Sequence, residues 1–213
     1  VQLDGTRFHN ANFTEAKFKD TKALGTIFTL AKFVKSTFND SNLAEADFND
    51  AIFSDVVMND SVIFGANFNG CICNNIKFNN IYGEATQFEN ANLIDSEIVA
   101  CKFNDSFFEE ANLSKVKISR SDFTRTSMAF VTLKDANLLS SIFKDGNFSN
   151  TNLSGVSIKS SFFENANLGF ANLNRADISD SNFNAVRFNS VKANEIEVSN
   201  TSFVDIKGAN KDL

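Results

Sequence analysis

The chain repeats with a period of five residues along its whole length, and the phase of the repeat never slips. Every fifth residue from Leu3 onward is large and apolar, and 20 of the 25 Phe residues fall in this one phase. The exceptions in this phase are Ala23, Cys73, Gly83, Ala193 and Gly208. A helix would spread a period of five around its circumference, and a flat strand would send successive members to opposite faces. Neither element alone therefore explains the pattern.

The pattern is explained if each five-residue unit is one short, bent side of a coil. The residue two places before each large one is Ala, Ser, Thr, Val, Ile or Cys in nearly every unit. Both residues would point inward, as alternate residues of a strand do, before a turn resets the phase. Large side chains against small ones fill a narrow interior densely. The absence of Pro suits a backbone whose N–H groups are nearly all used in a ladder.

A second period of 20 residues predicts how many sides make one coil. Residues of one kind recur every 20 positions, so that Phe103, Phe123 and Phe143 form one inward column. Each coil is therefore predicted to have four sides and 20 residues, which gives about 10 coils for 213 residues. At roughly 4.8 Å per strand layer, the coils would stack into a rod. An outward column predicts an amide ladder between coils, formed by Asn92, Asn112, Thr132, Asn152 and Asn172.

Many of the units resemble the consensus of the pentapeptide-repeat family, A(D/N)LXX with Phe allowed at the centre. Examples are ANLSK at 111–115, ANLNR at 171–175, ADFND at 46–50 and ANFTE at 11–15. The resemblance implies an all-β fold, a right-handed quadrilateral β-helix or solenoid, and it implies no catalysis. We expect one such domain over residues 1–206, followed by a C-terminal tail at 207–213.

The resemblance also implies two kinds of function. Quinolone-resistance members of the family protect DNA gyrase by resembling DNA in girth and charge, and other members are protein-binding scaffolds. Those resistance proteins often carry loops that interrupt the rod and a dimerising C-terminal segment with a helix. This chain has no loop insertion, and DIKGANKDL at 205–213 has no helical pattern. We therefore expect a non-enzymatic scaffold with an unidentified protein partner, and a DNA-mimicking modulator of a type II topoisomerase is the alternative.

Neither histidine nor cysteine predicts a catalytic site, a metal or another cofactor. His9 is the one histidine, and no Ser/His/Asp or Cys/His arrangement accompanies it. Cys71, Cys73 and Cys101 all fall in inward phases, where free cysteine packs as a small apolar residue. Structural zinc usually needs four ligands. Unpaired inward cysteines favour a reducing compartment, so a cytoplasmic location is expected.

The charge of the chain limits the partners that can be expected. A formal net charge of −6 argues against direct binding to nucleic acid or to an anionic membrane surface. No apolar run approaches the roughly 18 residues needed to span a bilayer. Inward phases hold from Val1 to Ile206 without a visible cap. Because an open coil end is an unpaired edge, either the chain is part of a longer protein or it forms an end-to-end dimer.

A candidate interaction surface lies between residues 40 and 82. Residues 36–76 contain six acids and no Lys or Arg. The acids are Asp40, Glu45, Asp47, Asp50, Asp55 and Asp60. Five of them share one outward phase in successive units, so they are predicted to ring one coil. Apolar residues occupy outward phases beside them, namely Ile52, Val57, Val62, Ile72 and Tyr82.

An exposed apolar cluster with an acidic rim is typical of an interface. Two alternatives remain: β-branched residues favour strands anyway, and Phe64 and Tyr82 could turn inward to fill gaps at Ile63 and Gly83. A second candidate surface pairs Ile142 with Phe162, and Phe130 with Phe170, in outward columns.

Overall fold

The computed structural model describes residues 1–208, which wind into a four-sided parallel β-solenoid. One side, here called the strand side, carries eight three-residue strands, each beginning 20 residues after the previous one. The strands are β1 (Lys17–Lys19), β2 (Thr37–Asn39), β3 (Val57–Asn59), β4 (Lys77–Asn79), β5 (Glu97–Val99), β6 (Lys117–Ser119), β7 (Asn137–Leu139) and β8 (Ser157–Lys159). They pair in parallel and in sequence order, so that Phe18 of β1 lies beside Phe38 of β2. The other three sides are joined by single parallel bridges between residues 20 apart.

The predicted fold class is confirmed, and no helix occurs within residues 1–208. The predicted count of about 10 coils is higher than the number of turns in the regular sheet, because β1 to β8 make about seven turns. The difference arises because this side continues beyond β8 through single bridges, Ser157–Asp177 and Asp177–Glu197, rather than through three-residue strands. Lys207 still pairs with Arg187. The remainder of the predicted tail, residues 209–213, lies outside the described residues.

Stacked aromatic rings fill the interior, as the 20-residue columns predicted. The rings of Phe163 and Phe183 lie parallel with centroids 4.9 Å apart, and those of Phe103 and Phe123 are vertical neighbours at 5.4 Å. Rings on adjacent sides meet edge to face, as Phe28 and Phe33 do at 5.4 Å. Burying each such ring contributes about 1.5–3 kcal/mol of transfer free energy. Since each coil contacts only its neighbours, this stabilisation accumulates along the rod.

The corners of the coil impose a left-handed backbone conformation. Every fifth residue from Gly5 to Asp205 has a positive φ. On three sides the N–H after the corner donates to the carbonyl three residues earlier, as Thr6 does to Leu3 at 3.0 Å. This is the geometry of a type II turn, whose third residue needs a positive φ. Gly, Asn and Asp tolerate that conformation best, which explains their frequency at the corners.

The corner after the strand side uses a different hydrogen bond. Within residues 1–208, no N–H just after this corner donates to the carbonyl three residues earlier. The N–H donates instead to a hydroxyl of the next coil, as Ser121 N does to Ser141 Oγ and Ser141 N to Ser161 Oγ, both at 3.2 Å. These hydroxyls are buried and form a ladder along the rod. This explains why the inward residues of this column from Thr21 to Thr201 are Ser or Thr, with Ile81 and Cys101 as the exceptions.

We expect Ser141→Ala to lower the free energy of unfolding by about 1–3 kcal/mol, because the buried N–H of Ser121 would lose its acceptor. Denaturant unfolding followed by circular dichroism would measure the loss. Ser106→Ala is the matched control. Ser106 Oγ accepts from Thr86 N at 3.1 Å, but Thr86 N also reaches the carbonyl of Gly83 at 3.3 Å. Equal losses in the two variants would contradict the proposed role of the ladder.

The predicted amide ladder forms at one step of its column, where Asn172 Nδ2 donates to Asn152 Oδ1 at 3.5 Å. Lower in the column, Asn112 Oδ1 accepts from the N–H of Ser114 at 3.1 Å instead. The local bond does not exclude the ladder bond, because Asn152 Oδ1 also accepts from the N–H of Ser154, at 3.2 Å. Inter-coil amide bonds occur on the strand side, where Asn59 Nδ2 donates to Asn39 Oδ1 at 2.7 Å.

Candidate interaction surface

Five acids occupy five successive corners, so the predicted ring is present in the structure. The acidic ring consists of Asp40, Glu45, Asp50, Asp55 and Asp60, all of which are exposed. Their φ angles lie between 50° and 57°. The positive φ explains a short polar residue at these positions, but it does not explain a negative charge, because Asn and Gly serve equally well.

Ion pairs do not neutralise the acidic ring within residues 1–208, although Lys35 occupies the corner one coil before Asp55. The corners stacked on it in the next coil are Gly65, Gly70, Asn75 and Asn80. Asn75 Nδ2 donates to Asp55 Oδ1 at 2.5 Å, and Asn80 Nδ2 donates to Asp60 Oδ1 at 2.8 Å. No ion pair within residues 1–208 includes a member of the ring. The five carboxylates therefore face solvent as one unneutralised band.

Asp47, the sixth predicted acid, does not belong to the ring. It is half-buried on a flat side, where its Oδ1 accepts from the N–H of Asn49 and from Asn67 Nδ2, both at 3.1 Å. These contacts join two coils and satisfy a backbone donor. We interpret Asp47 as a structural residue.

The predicted apolar residues form pairs that wrap around three sides. Ile52 pairs with Ile72 on the side before the strand side. Val57 lies in β3 on the strand side itself. Val62 pairs with Tyr82 on the following side, here called the Tyr82 side. The structure thus brings four of the residues together in two pairs, leaves Val57 between Thr37 and Lys77, and does not gather all of them onto one flat face.

Phe64 and Tyr82 do not turn inward. Their exposed fractions are 48% and 43%. The space at Gly83 is filled instead by Phe103, since a Cβ at Gly83 would lie 2.6 Å from the Phe103 ring. The gap-filling alternative is therefore wrong for these two residues, and their rings remain available for contact.

The second predicted apolar surface is also exposed. Ile142 pairs with Phe162 on the Tyr82 side, four coils above Val62 and Tyr82. Phe130 and Phe170 lie on one corner with Asn150 between them, and both have a φ of 61°. A shallow groove of about 550 Å³, not predicted from the sequence, lies beside Phe170 and is lined by Asn167, Arg187 and Asn189 among others. Gly169, which leaves room beside Phe170, is the signal that could have indicated it.

A basic arc lies well above the acidic ring. It consists of Lys115, Arg120 and Arg125, at three successive corners. Arg125 Nε and Nη2 each donate to an oxygen of Asp105 at 2.7 Å. Hydrogen bonding by Arg125 lowers the pKa of the Asp105 carboxyl. A further cation missed from the sequence is Lys102, whose Nζ lies 5.2 Å from the centroid of the Tyr82 ring.

The three cysteines are buried in the core, as their inward phases predicted. Burial raises the pKa of the Cys101 thiol to about 12. Burial and the contact with Cys71 also raise the pKa of Cys73. Thiols in this state are poor nucleophiles and poor metal ligands. Across residues 1–208, no group of three or more His, Cys, Asp or Glu side chains is placed to hold a metal ion.

His9 is exposed, and its Nδ1 lies 2.7 Å from Thr29 Oγ1. Among the described residues, none belongs to a helix of the length and apolarity that a membrane span requires.

The geometry defines the class of the protein as a four-sided β-solenoid built from five-residue units. The family model for pentapeptide repeats matches in eight copies, at residues 1–29, 25–60, 99–128, 121–159, 133–169 and 147–189. The chain belongs to the pentapeptide-repeat family. Residues 61–98, which contain Cys73, Ile81 and Gly83, fall between the matched stretches, yet the coil continues through them. Proteins of this family are generally non-enzymatic structural or interaction proteins.

Solved structures share the fold. A trypsin-treated variant of QnrB1, a plasmid-mediated fluoroquinolone resistance protein, is 13% identical with a TM-score of 0.52, covering 93% of this chain and 89% of that one. HetL, a pentapeptide repeat protein involved in heterocyst differentiation regulation from the cyanobacterium Nostoc sp. Strain PCC 7120, is 11% identical with a TM-score of 0.41. That match covers 95% of this chain and 84% of HetL. At 13% identity the likeness to QnrB1 concerns the fold alone. Comparison with curated proteins gives no match.

Proposed function

We propose that the protein is a non-enzymatic, rigid scaffold that binds a protein partner at the acidic ring and the apolar pairs beside it. The observation that carries the proposal is the unneutralised band of five carboxylates next to Ile72 and Tyr82, which remain exposed. A partner with a basic and apolar surface would complement both features. The repeat supplies rigidity, because backbone hydrogen bonds fix corners to the next coil, as the N–H of Asp50 donates to the carbonyl of Asn69 at 2.9 Å.

Charge reversal of the ring tests the proposal. We expect Asp50→Lys combined with Asp55→Lys to abolish capture of the partner by the immobilised protein, because both rim charges would change sign. Capture by the unmodified protein should also weaken as salt is raised. Bound proteins would be identified by mass spectrometry from an extract of the source cells.

Asp135→Lys combined with Asp180→Lys is the matched control. The carboxylate of Asp135 lies against Gly155 of the next coil, just as that of Asp50 lies against Gly70. Asp180 accepts a hydrogen bond from Asn200 Nδ2 at 3.1 Å, and Asp55 likewise accepts one from Asn75 Nδ2. The control changes the net charge equally and should leave capture intact. Loss of capture in both double variants, or in neither, would contradict a specific site at the ring.

The second candidate is a modulator of a type II topoisomerase that imitates DNA. The fold similarity to QnrB1 and the net charge of −6 favour it. The distribution of charge favours the scaffold, because a duplex carries phosphates along its whole length whereas these acids circle one coil. A gyrase supercoiling assay distinguishes the two. Inhibition of supercoiling, or protection of gyrase from a fluoroquinolone, at micromolar protein would support the second candidate.

A further inference from the structure

The outward residues of the Tyr82 side form a self-complementary series along the rod. Successive bridges connect one residue from each coil in a single column. The column runs from Gln2 to Ser202. Between Lys22 and Ser202 it contains, in order, Asn42, Val62, Tyr82, Lys102, Asp122, Ile142, Phe162 and Asn182. The first half is an amide, two apolar residues and a cation. The second half is an anion, two apolar residues and an amide, so these eight residues read alike from both ends with the charge inverted at their centre.

Such a column matches a second copy of itself when the two rods run antiparallel. A two-fold axis lying in the interface and parallel to the strands reverses the rod axis and keeps each column opposite itself. Centred between Lys102 and Asp122, this axis places Lys102 opposite Asp122 of the second copy. It also places Tyr82 opposite Ile142 and Val62 opposite Phe162. Because both copies have the same rise per coil, the match holds over all eight positions.

Neighbouring columns on the same side are compatible with this arrangement. In the second outward column, Glu84 falls opposite Lys144 of the second copy, and Leu24 falls opposite Val204. At the corner that follows this side, Asp105 and Arg125 form an ion pair within one copy. The axis places Asp105 opposite Arg125 of the second copy, and Arg125 opposite Asp105. Two pairs are mismatched, namely Phe64 opposite Glu164 and, at the other corner of this side, Asp40 opposite Asp180.

Charge complementarity also selects the direction of the rods. If they ran parallel, a two-fold axis along the rod would place Lys102 opposite Lys102 and Asp122 opposite Asp122. Like charges in direct opposition cost affinity, whereas the antiparallel arrangement pairs every central charge with its opposite. The exposed rings of Tyr82 and Phe162 would then be covered by apolar partners rather than by charge.

We infer that the Tyr82 side is the interface of an antiparallel homodimer. The occupant of this surface is a second copy of the chain. The inference does not depend on the scaffold function. The dimer covers Val62 and Tyr82, so a partner would then contact Asp50, Asp55 and the Ile52–Ile72 pair, which lie on other sides and stay free. A dimer of this kind would present two acidic rings, one toward each end.

Charge exchange at the centre of the interface tests the inference by light scattering after size exclusion. The unmodified chain should have twice the 23.5 kDa mass of one chain. Lys102→Asp or Asp122→Lys alone should weaken association about tenfold or more, since each change occurs twice per dimer and opposes like charges. The double variant K102D/D122K should recover the dimer, because the opposed charges are again opposite. Lys117→Asp on the strand side is the control and should leave the dimer intact.

The inference would be overturned if the unmodified chain were a monomer. It would also be overturned if neither single exchange weakened the dimer, which is the result expected for an end-to-end dimer. Failure of the double variant to recover the dimer, with native circular dichroism, would also overturn it. The test is independent of partner capture, because Asp50→Lys with Asp55→Lys should not change the mass. Conversely, K102D/D122K should not change capture at the acidic ring.

Discussion

Replacing Phe123 by Ala should lower the free energy of unfolding by about 3–5 kcal/mol. The Phe123 ring is fully buried near the middle of the rod. Its centroid lies 5.4 Å from those of Phe103 and Phe143 and 5.9 Å from that of Phe108. Removing it leaves a cavity that three rings line and that the surrounding backbone ladder cannot close. Denaturant unfolding followed by circular dichroism would measure the loss.

Phe107→Ala is the matched control, because this Phe lies in the coil between Phe103 and Phe123 but on the outer surface, where 43% of it is exposed. We expect it to cost about 1 kcal/mol or less. Because coils interact mainly with their neighbours, the Phe123 variant should also broaden the unfolding transition as the two halves of the rod uncouple. Similar losses for Phe107 and Phe123 would show that the stacked column is not the main source of stability.

Restoring the repeat at Gly83 should destabilise the protein rather than stabilise it. The period of five calls for a large residue at this position, and the backbone conformation permits one because the φ of Gly83 is not positive. However, a Cβ there would lie 2.6 and 2.9 Å from ring carbons of Phe103 and 3.1 Å from Ile63 Cγ1. We expect Gly83→Leu to cost about 1–3 kcal/mol through overpacking. Thermal and denaturant unfolding would measure the sign.

A double variant separates overpacking from other effects of the new side chain. Phe103→Ala alone should cost about 3–5 kcal/mol, because it empties the space beside Gly83. With Gly83→Leu added, the leucine can enter that space, so the two losses should not add and the pair should be less harmful than their sum. Stabilisation by Gly83→Leu alone would contradict the packing of Phe103 described here.

Much of the candidate surface was predictable from the chain, once the coil length was known. The five ring acids share one phase, and the phase alone places them at successive corners. The pairing of Ile52 with Ile72 and of Val62 with Tyr82 follows from the 20-residue period in the same way. Asp47 could not be separated from the others by phase, because its role depends on bonds to Asn49 and Asn67. Nor could the sequence indicate that no cation forms an ion pair with the ring, which depends on where the side-chain atoms lie.

The sequence by itself determined which residues point inward, which residues stack and that the strands run parallel. It could do so because every five-residue unit has nearly the same environment, and with a strict period only one arrangement buries all the large residues. Only the tertiary structure decided how local exceptions are resolved. Phe103 fills the space at Gly83, Ile81 interrupts the hydroxyl ladder that Ser141 continues, and Tyr82 stays outside. Those outcomes depend on contacts between residues 20 or more positions apart, where several neighbours compete for one space or one hydrogen bond.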